Sequence, residues 1–293
     1  MVLRRLSLRL FGASLLVAAA AIPLSTSAYA ALLVSDPASV VNPFIGTSNA
    51  ADDFPGADYP FGMVQWSPDT PSRPLGGGYE YNDSSITGFS LTHLSGPGCG
   101  ADGDVPILPT AGAIDTGATV GFSHSNESAN AGYYAVTANN SVKTELTATL
   151  RSGMGRFTFP STTQANLVFK LAGSQNGTSG TSWNVVSSTE VSGSVTSGHF
   201  CGAGFTYTVF FDVVFDRPFA SSGTSWVRFD TTSIRVVQAK VGLSYVSVAN
   251  AVANRAADIP AFDFNGTQQA THNAWNGVLG RIQVAGGTAA QQQ

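Results

Sequence analysis

Phe205-Thr206-Tyr207-Thr208-Val209-Phe210-Phe211-Asp212-Val213-Val214-Phe215-Asp216 is the clearest structural signal in the chain. Its odd positions, Phe205, Tyr207, Val209, Phe211, Val213 and Phe215, make one apolar face, while Thr206, Thr208, Asp212 and Asp216 lie on the other. Successive side chains of a strand point to opposite faces, so this period of two predicts a half-buried strand. The alternation recurs at 141–150, where Val142, Thr144, Leu146, Ala148 and Leu150 interleave with Lys143, Glu145, Thr147 and Thr149. Phe157 and Phe159 follow, then the apolar run Leu167-Val168-Phe169-Lys170-Leu171, and further strands are predicted at 226–229, 234–239 and 243–248. Strands at intervals of about 8–12 residues, separated by Gly, Ser and Asn turns, indicate a large antiparallel β-sandwich.

Outward from this core the pattern changes in both directions. Between 40 and 74 the chain is dense in breakers (Pro43, Gly46, Pro55-Gly56, Pro60, Gly62, Pro68, Pro71, Pro74), which leaves short extended pieces joined by ordered loops. After Val248 it becomes helical in character. Residues 249–257 are alanine-rich, Pro260 breaks the run, and Asp263 caps a second helix with Phe264, Thr271, Trp275, Leu279 and Ile282 near one face. The fold class is mainly β: a sandwich at 31–248 followed by short connector helices at 249–293.

The first 30 residues read as an export signal. Arg4, Arg5 and Arg9 precede an apolar run, and Ala28-Tyr29-Ala30 offers a small-x-small cleavage site after Ala30. The mature protein is expected outside the cell, without a membrane span. Charged residues make up 11% of the chain, against roughly 25% in an ordinary soluble protein. A net charge of −4 gives no basic footprint for nucleic acid or an anionic membrane surface. A neutral polar surface suits a neutral polar ligand such as a sugar, as it suits many secreted β-proteins. The two cysteines, Cys99 and Cys201, favour a disulfide closing a loop of about 100 residues, with two separately buried thiols as the alternative.

Residues 88–104, Gly-Phe-Ser-Leu-Thr-His-Leu-Ser-Gly-Pro-Gly-Cys-Gly-Ala-Asp-Gly-Asp, hold five glycines, His93, Cys99, Asp102 and Asp104. The flanking apolar residues predict strand, exposed polar loop, strand, and glycine lets such a loop approach a guest closely. Asp102-Gly103-Asp104 has a fragment of calcium-loop character, but the remainder of an EF-hand loop is missing. Two loop aspartates across a cleft could serve as acid and base, although turn aspartates more commonly bond their own backbone. No Gly-x-Ser-x-Gly elbow, phosphate-cradling loop or His-Glu-x-x-His motif occurs.

The ordered blocks Val41-Asn42-Pro43-Phe44-Ile45-Gly46-Thr47, Phe54-Pro55-Gly56-Ala57, Pro60-Phe61-Gly62-Met63-Val64-Gln65 and Ser67-Pro68-Asp69-Thr70 resemble glycoside hydrolase family 92. Gly78-Tyr79-Glu80-Tyr81, His93-Leu94-Ser95-Gly96, Gly198-His199-Phe200-Cys201-Gly202 and Phe215-Asp216-Arg217-Pro218-Phe219 continue the likeness in the same order. It covers about 36–288. The resemblance implies a secreted, calcium-dependent, inverting exo-α-mannosidase in which an N-terminal β-sandwich packs on a C-terminal (α/α)6 barrel. It also implies that the catalytic acid and base come from the barrel, expected downstream, so no catalytic residue is assigned here and this chain alone is expected to be inactive. What the resemblance leaves to this chain is one wall of the sugar pocket, with Asp52, Asp53, His93, Ser95, Asp102 and Asp104 as substrate-binding candidates. Calcium is expected in the whole enzyme, with no ligands assigned in this chain. The alternative is a free-standing mannose-binding sandwich without catalysis.

Overall fold

Large aromatic side chains from two sheets meet in the centre of the molecule. Trp66 lies edge-on to Phe157 at 6.3 Å, Phe169 stacks on Phe211 at 6.1 Å, and Phe215 meets Phe229 at 5.2 Å. All six are at most 2% exposed, and each fully buried side chain of this size contributes about 1.5–3 kcal/mol. The computed structural model describes residues 33–73 and 75–293, so the export signal lies outside the described residues.

The described residues form a two-sheet antiparallel sandwich with a small added ribbon, as the alternation predicts. One sheet has seven strands in the spatial order Ala57–Asp58, Gln65–Asp69, Gly88–Ser90, Ile107–Ala111, Ala165–Phe169, Trp226–Phe229 and Ser221–Gly223. The other has eight, in the order Gly180–Ser187, Glu190–Gly198, Thr206–Phe215, Val236–Ser244, Ser152–Thr158, Lys143–Ala148, Tyr133–Thr137 and Glu127–Asn130. Gly153 and Gly155 leave the space into which Trp66 fits, since a Cβ on either would lie 2.8–2.9 Å from the indole.

Helix α1 (Val248–Asp258) starts at Ser247, whose hydroxyl accepts the Asn250 N–H at 3.1 Å. Helix α2 (Phe264–Leu279) starts at Asp263, which accepts the Gly266 N–H at 2.9 Å. These caps satisfy N–H groups that have no partner inside the helix. Both helices lie on the outer face of the eight-stranded sheet, which explains three departures from the sequence expectation. Asp212, expected on an open polar face, is fully buried and paired with Arg255 of α1. Glu145, expected outside, is 5% exposed and takes Arg156, whose guanidinium also bonds Asn265 of α2 and lies over Phe264. The separate strands expected at 234–239 and 243–248 are one strand, Val236–Ser244, because Gly242 continues the ladder where α1 crosses it. Ile282 lies beyond α2 and is 80% exposed. No helix among the described residues is long and apolar enough to cross a membrane.

Candidate functional site

The 91–106 segment joins the strands Gly88–Ser90 and Ile107–Ala111. It is less exposed than its composition suggests: within it only 94–96 and 98 are exposed, and both ends turn back into the protein. Its base is closed by Thr92 and Asp104. The Asp104 N–H donates to Thr92 Oγ1 at 2.9 Å, and the Thr92 hydroxyl donates to Asp104 Oδ2 at 3.1 Å. The chain leaves through Val105, a β-branched residue at φ +53°, a conformation that costs energy and persists only where its surroundings enforce it.

The tip is bonded to Cys201 through Cys99, with Cα atoms 5.0 Å apart. Two carboxamides complete the fastening. Gln175 Oε1 accepts the N–H groups of Gly76 and Ala101, and Asn176 Nδ2 donates to the carbonyls of Gly100 and Gly198. With the Gly96 N–H on the Asp52 carbonyl, residues 52–53, 76–78, 93–104, 174–177 and 198–202 form one connected region. Left-handed backbone at the non-glycine residues Asp52, Asp102, His199 and Cys201 is concentrated there. Strain of this kind clusters at functional sites.

The six candidate residues occupy different depths. His93 is 3% exposed, its Nδ1 donates to the Gln65 carbonyl at 2.8 Å, and its Nε2 lies 3.3 Å from Asp69 Oδ1. Phe54 covers its ring at 5.3 Å. Asp104 is fully buried, and its oxygens accept the hydroxyls of Thr92, Ser174 and Tyr207. Asp102, half-buried, shares the Tyr207 hydroxyl at 3.2 Å. Burial pushes both carboxyls above their ordinary range, with the Asp104 charge adding to the rise at Asp102. Tyr207 is in turn held far above an ordinary phenol by burial and by the two acids. Asp52 is 8% exposed, and its carbonyl accepts the Gly96 N–H at 3.1 Å. Asp53 packs on Gly46, where a Cβ would collide with its carboxylate. Ser95 is exposed and faces a separate pocket with Phe54 and Asp58.

Asp102 and Asp104 do not fit calcium. The ion takes six to eight oxygens, whereas Asp104 is occupied by three O–H donors whose protons stand where a cation would be. No group of three His, Cys, Asp or Glu residues that could hold a metal occurs among the described residues. The residues that sequence reading missed are Thr92, Ser174, Gln175, Asn176 and Tyr207. Asn176 stands in an Asn-x-Thr sequon that says nothing of this role, and Tyr207 reads as one more apolar-face residue of its strand.

This arrangement is an antiparallel sandwich with a disulfide-stapled polar end, and the comparisons specify its family. The chain belongs to glycosyl hydrolase family 92, whose N-terminal domain matches residues 40–244. An uncharacterized secreted glycosidase of Arthroderma benhamiae is 31% identical over 144 residues, covering 46% of this chain and 19% of that protein. A family GH92 α-mannosidase from Bacteroides thetaiotaomicron superposes with a TM-score of 0.79 at 28% identity, covering 88% of this chain and 40% of that one. The structure of the same mannosidase in complex with mannoimidazole gives 0.76 at 29% identity, covering 84% and 37%. The chain thus spans 40% of the first solved relative and 19% of the curated one.

Proposed function

We propose that this chain is the pocket-wall domain of a secreted, inverting exo-α-mannosidase that hydrolyses α-mannosides of glycans. The observation that carries the reading is the likeness to the Bacteroides thetaiotaomicron α-mannosidase in sequence and fold, over 88% of this chain. In this reading the fastened loops present Ser95, Asp53 and Asp102 to sugar hydroxyls, while His93, Asp52 and Asp104 hold those loops from behind. The wall offers carboxylate and main-chain acceptors, which suit the hydroxyl donors of an uncharged polyhydroxylated ligand. Residues 249–293 serve as connector to a C-terminal (α/α)6 domain that supplies the catalytic acid and base. Inversion needs that carboxyl pair roughly 6.5–9.5 Å apart, with a water between base and sugar. Calcium belongs with that second domain. The Cys99–Cys201 bond supports export, since such bonds persist in oxidising compartments.

The test is hydrolysis of α-mannobioses by this chain alone and by this chain extended with the reading frame that follows it. The extended protein should release β-mannose first, lose activity to chelator and recover it with calcium, while the 293-residue chain releases none. Mannose release by the shorter chain, or none by the longer one on any linkage, would overturn the reading.

A further inference from the structure

Where the Ser95 loop meets helix α2 there is a pocket of about 180 Å³, of which the reading above uses only Ser95 at the rim. Phe54, Trp275 and Leu279 supply apolar wall, and Asp58, Ser95 and Asn130 supply polar groups. A cavity of about 150 Å³ takes a benzene ring, so the space is of the size of a single six-membered ring.

The pocket is built from fixed parts. Ala57 is fully buried in the core, so its strand neighbour Asp58 faces the other way, toward α2. The Trp275 indole N–H donates to the Asp58 main-chain oxygen at 3.0 Å, pinning the indole beside the carboxyl. One turn earlier on α2, the buried Thr271 donates to the Ala148 carbonyl and sits against Gly132, where a Cβ would lie 2.5 Å from its methyl group. Phe54 is backed by His93. A carboxyl among apolar walls is costly to ionise, and burial pushes Asp58 up to about 7. Such a group calls for a hydrogen-bond donor.

We propose that this pocket is a subsite for a single neutral pyranose, with a C–H face of the ring on Trp275 and Phe54 and its hydroxyls donating to the Asp58 carboxyl. Ser95 and Asn130 at the rim meet the remaining hydroxyls. A pyranose combines an apolar face with an edge of donors at this size, whereas a simple hydrocarbon brings the Asp58 carboxyl no donor. The inference rests on the carbohydrate class of the reading above and does not require hydrolysis.

The experiment is titration of the full chain with mannose, glucose and galactose, reading the indole N–H resonance of Trp275 assigned through Trp275→Phe. A saturable shift at millimolar sugar is expected, weakened about tenfold by Asp58→Asn. Ser95→Trp and Leu279→Trp, which fill the pocket from opposite sides, should each abolish it while the near-ultraviolet circular dichroism stays folded. No shift with any of the three sugars, a shift that survives both filled variants, or tighter binding of tetramethylammonium than of the sugars would overturn the proposal. Sugar binding at Trp275 without hydrolysis by the extended protein would sink the mannosidase reading alone. Hydrolysis without a Trp275 response would sink the subsite alone.

Discussion

Cys99 and Cys201 are bonded across 102 residues of sequence, so the tip of the 91–106 loop and the turn at 199–205 form one covalent unit. A loop of about 100 residues closed in this way stabilises the fold by about 4–5 kcal/mol in the chain-entropy account. The double variant Cys99→Ser, Cys201→Ser should lose roughly that amount in urea unfolding. Wild-type protein under strong reductant should match it. Equal stability with and without the bond would show that the loop is held by Gln175 and Asn176 instead.

Tyr207→Phe removes one of three hydroxyls that satisfy the buried Asp104 carboxyl, and a cost of about 1–3 kcal/mol is expected. The cost depends on pH. Asp104 already binds its proton more tightly in the folded protein than in the unfolded chain, so its contribution falls as pH rises. Losing the tyrosine donor, which favours the charged form, should make Tyr207→Phe more damaging at pH 8 than at pH 5. Urea midpoints at the two pH values decide this.

Glu145 shows the opposite sign. Burial opposes its charge, but hydrogen bonds from Arg156, Lys143 and Tyr133 outweigh it and bring the carboxyl down to about 2. The stability this gives is complete above the ordinary glutamate value of 4.5 and is lost as pH falls toward 2. Glu145→Gln should cost about 2–3 kcal/mol at pH 7 and nothing further on acidification through that window. Thermal unfolding between pH 7 and pH 3 would show the two curves converging.

At Asp58 the folded carboxyl sits at about 7 against an ordinary 3.8. The folded state binds the extra proton between those values, so stability declines as pH climbs from 3.8 to 7. Asp58→Asn should therefore raise the Tm at pH 8, by roughly 2–6 °C, and leave it unchanged at pH 4. A lower Tm at pH 8 would mean that the carboxylate has a cationic partner the pocket does not show.

Gly242→Ala places a Cβ 2.2 Å from the Ala251 carbonyl and 2.7 Å from Arg255 Cβ. The helix cannot yield without pulling Arg255 from Asp212, so a loss of about 1–3 kcal/mol is expected. Amide exchange should localise the loosening to α1. Unchanged protection there would place the strain in the strand.

Much of the sandwich was legible because strand alternation is a local property. Val209, Phe211, Val213 and Phe215 are at most 2% exposed, as their spacing required. The helix caps at Ser247 and Asp263 were equally local, and only Asp263 was read from the chain. The burial of Asp212 and Glu145 was not legible, since a strand pattern does not say what later covers its polar face. The 88–104 segment was recognisable as an unusual loop, but its depth was not. Asp104 is buried because residues far along the chain, Ser174 and Tyr207, come back to it, and His93 because Phe54, Gln65 and Asp69 close around it.

The sequence by itself determined an antiparallel sandwich with two following helices, and its ordered blocks determined the family. Both follow from information carried within a few residues: side-chain periodicity, turn chemistry and short motifs. Only the tertiary structure decided that Cys99 meets Cys201, that Asp104 lies behind the wall under three hydroxyls, and that Asp58 and Trp275 share a pocket. Those relationships join residues separated by tens to hundreds of positions. They arise when two sheets close on a common core and α2 folds back across it.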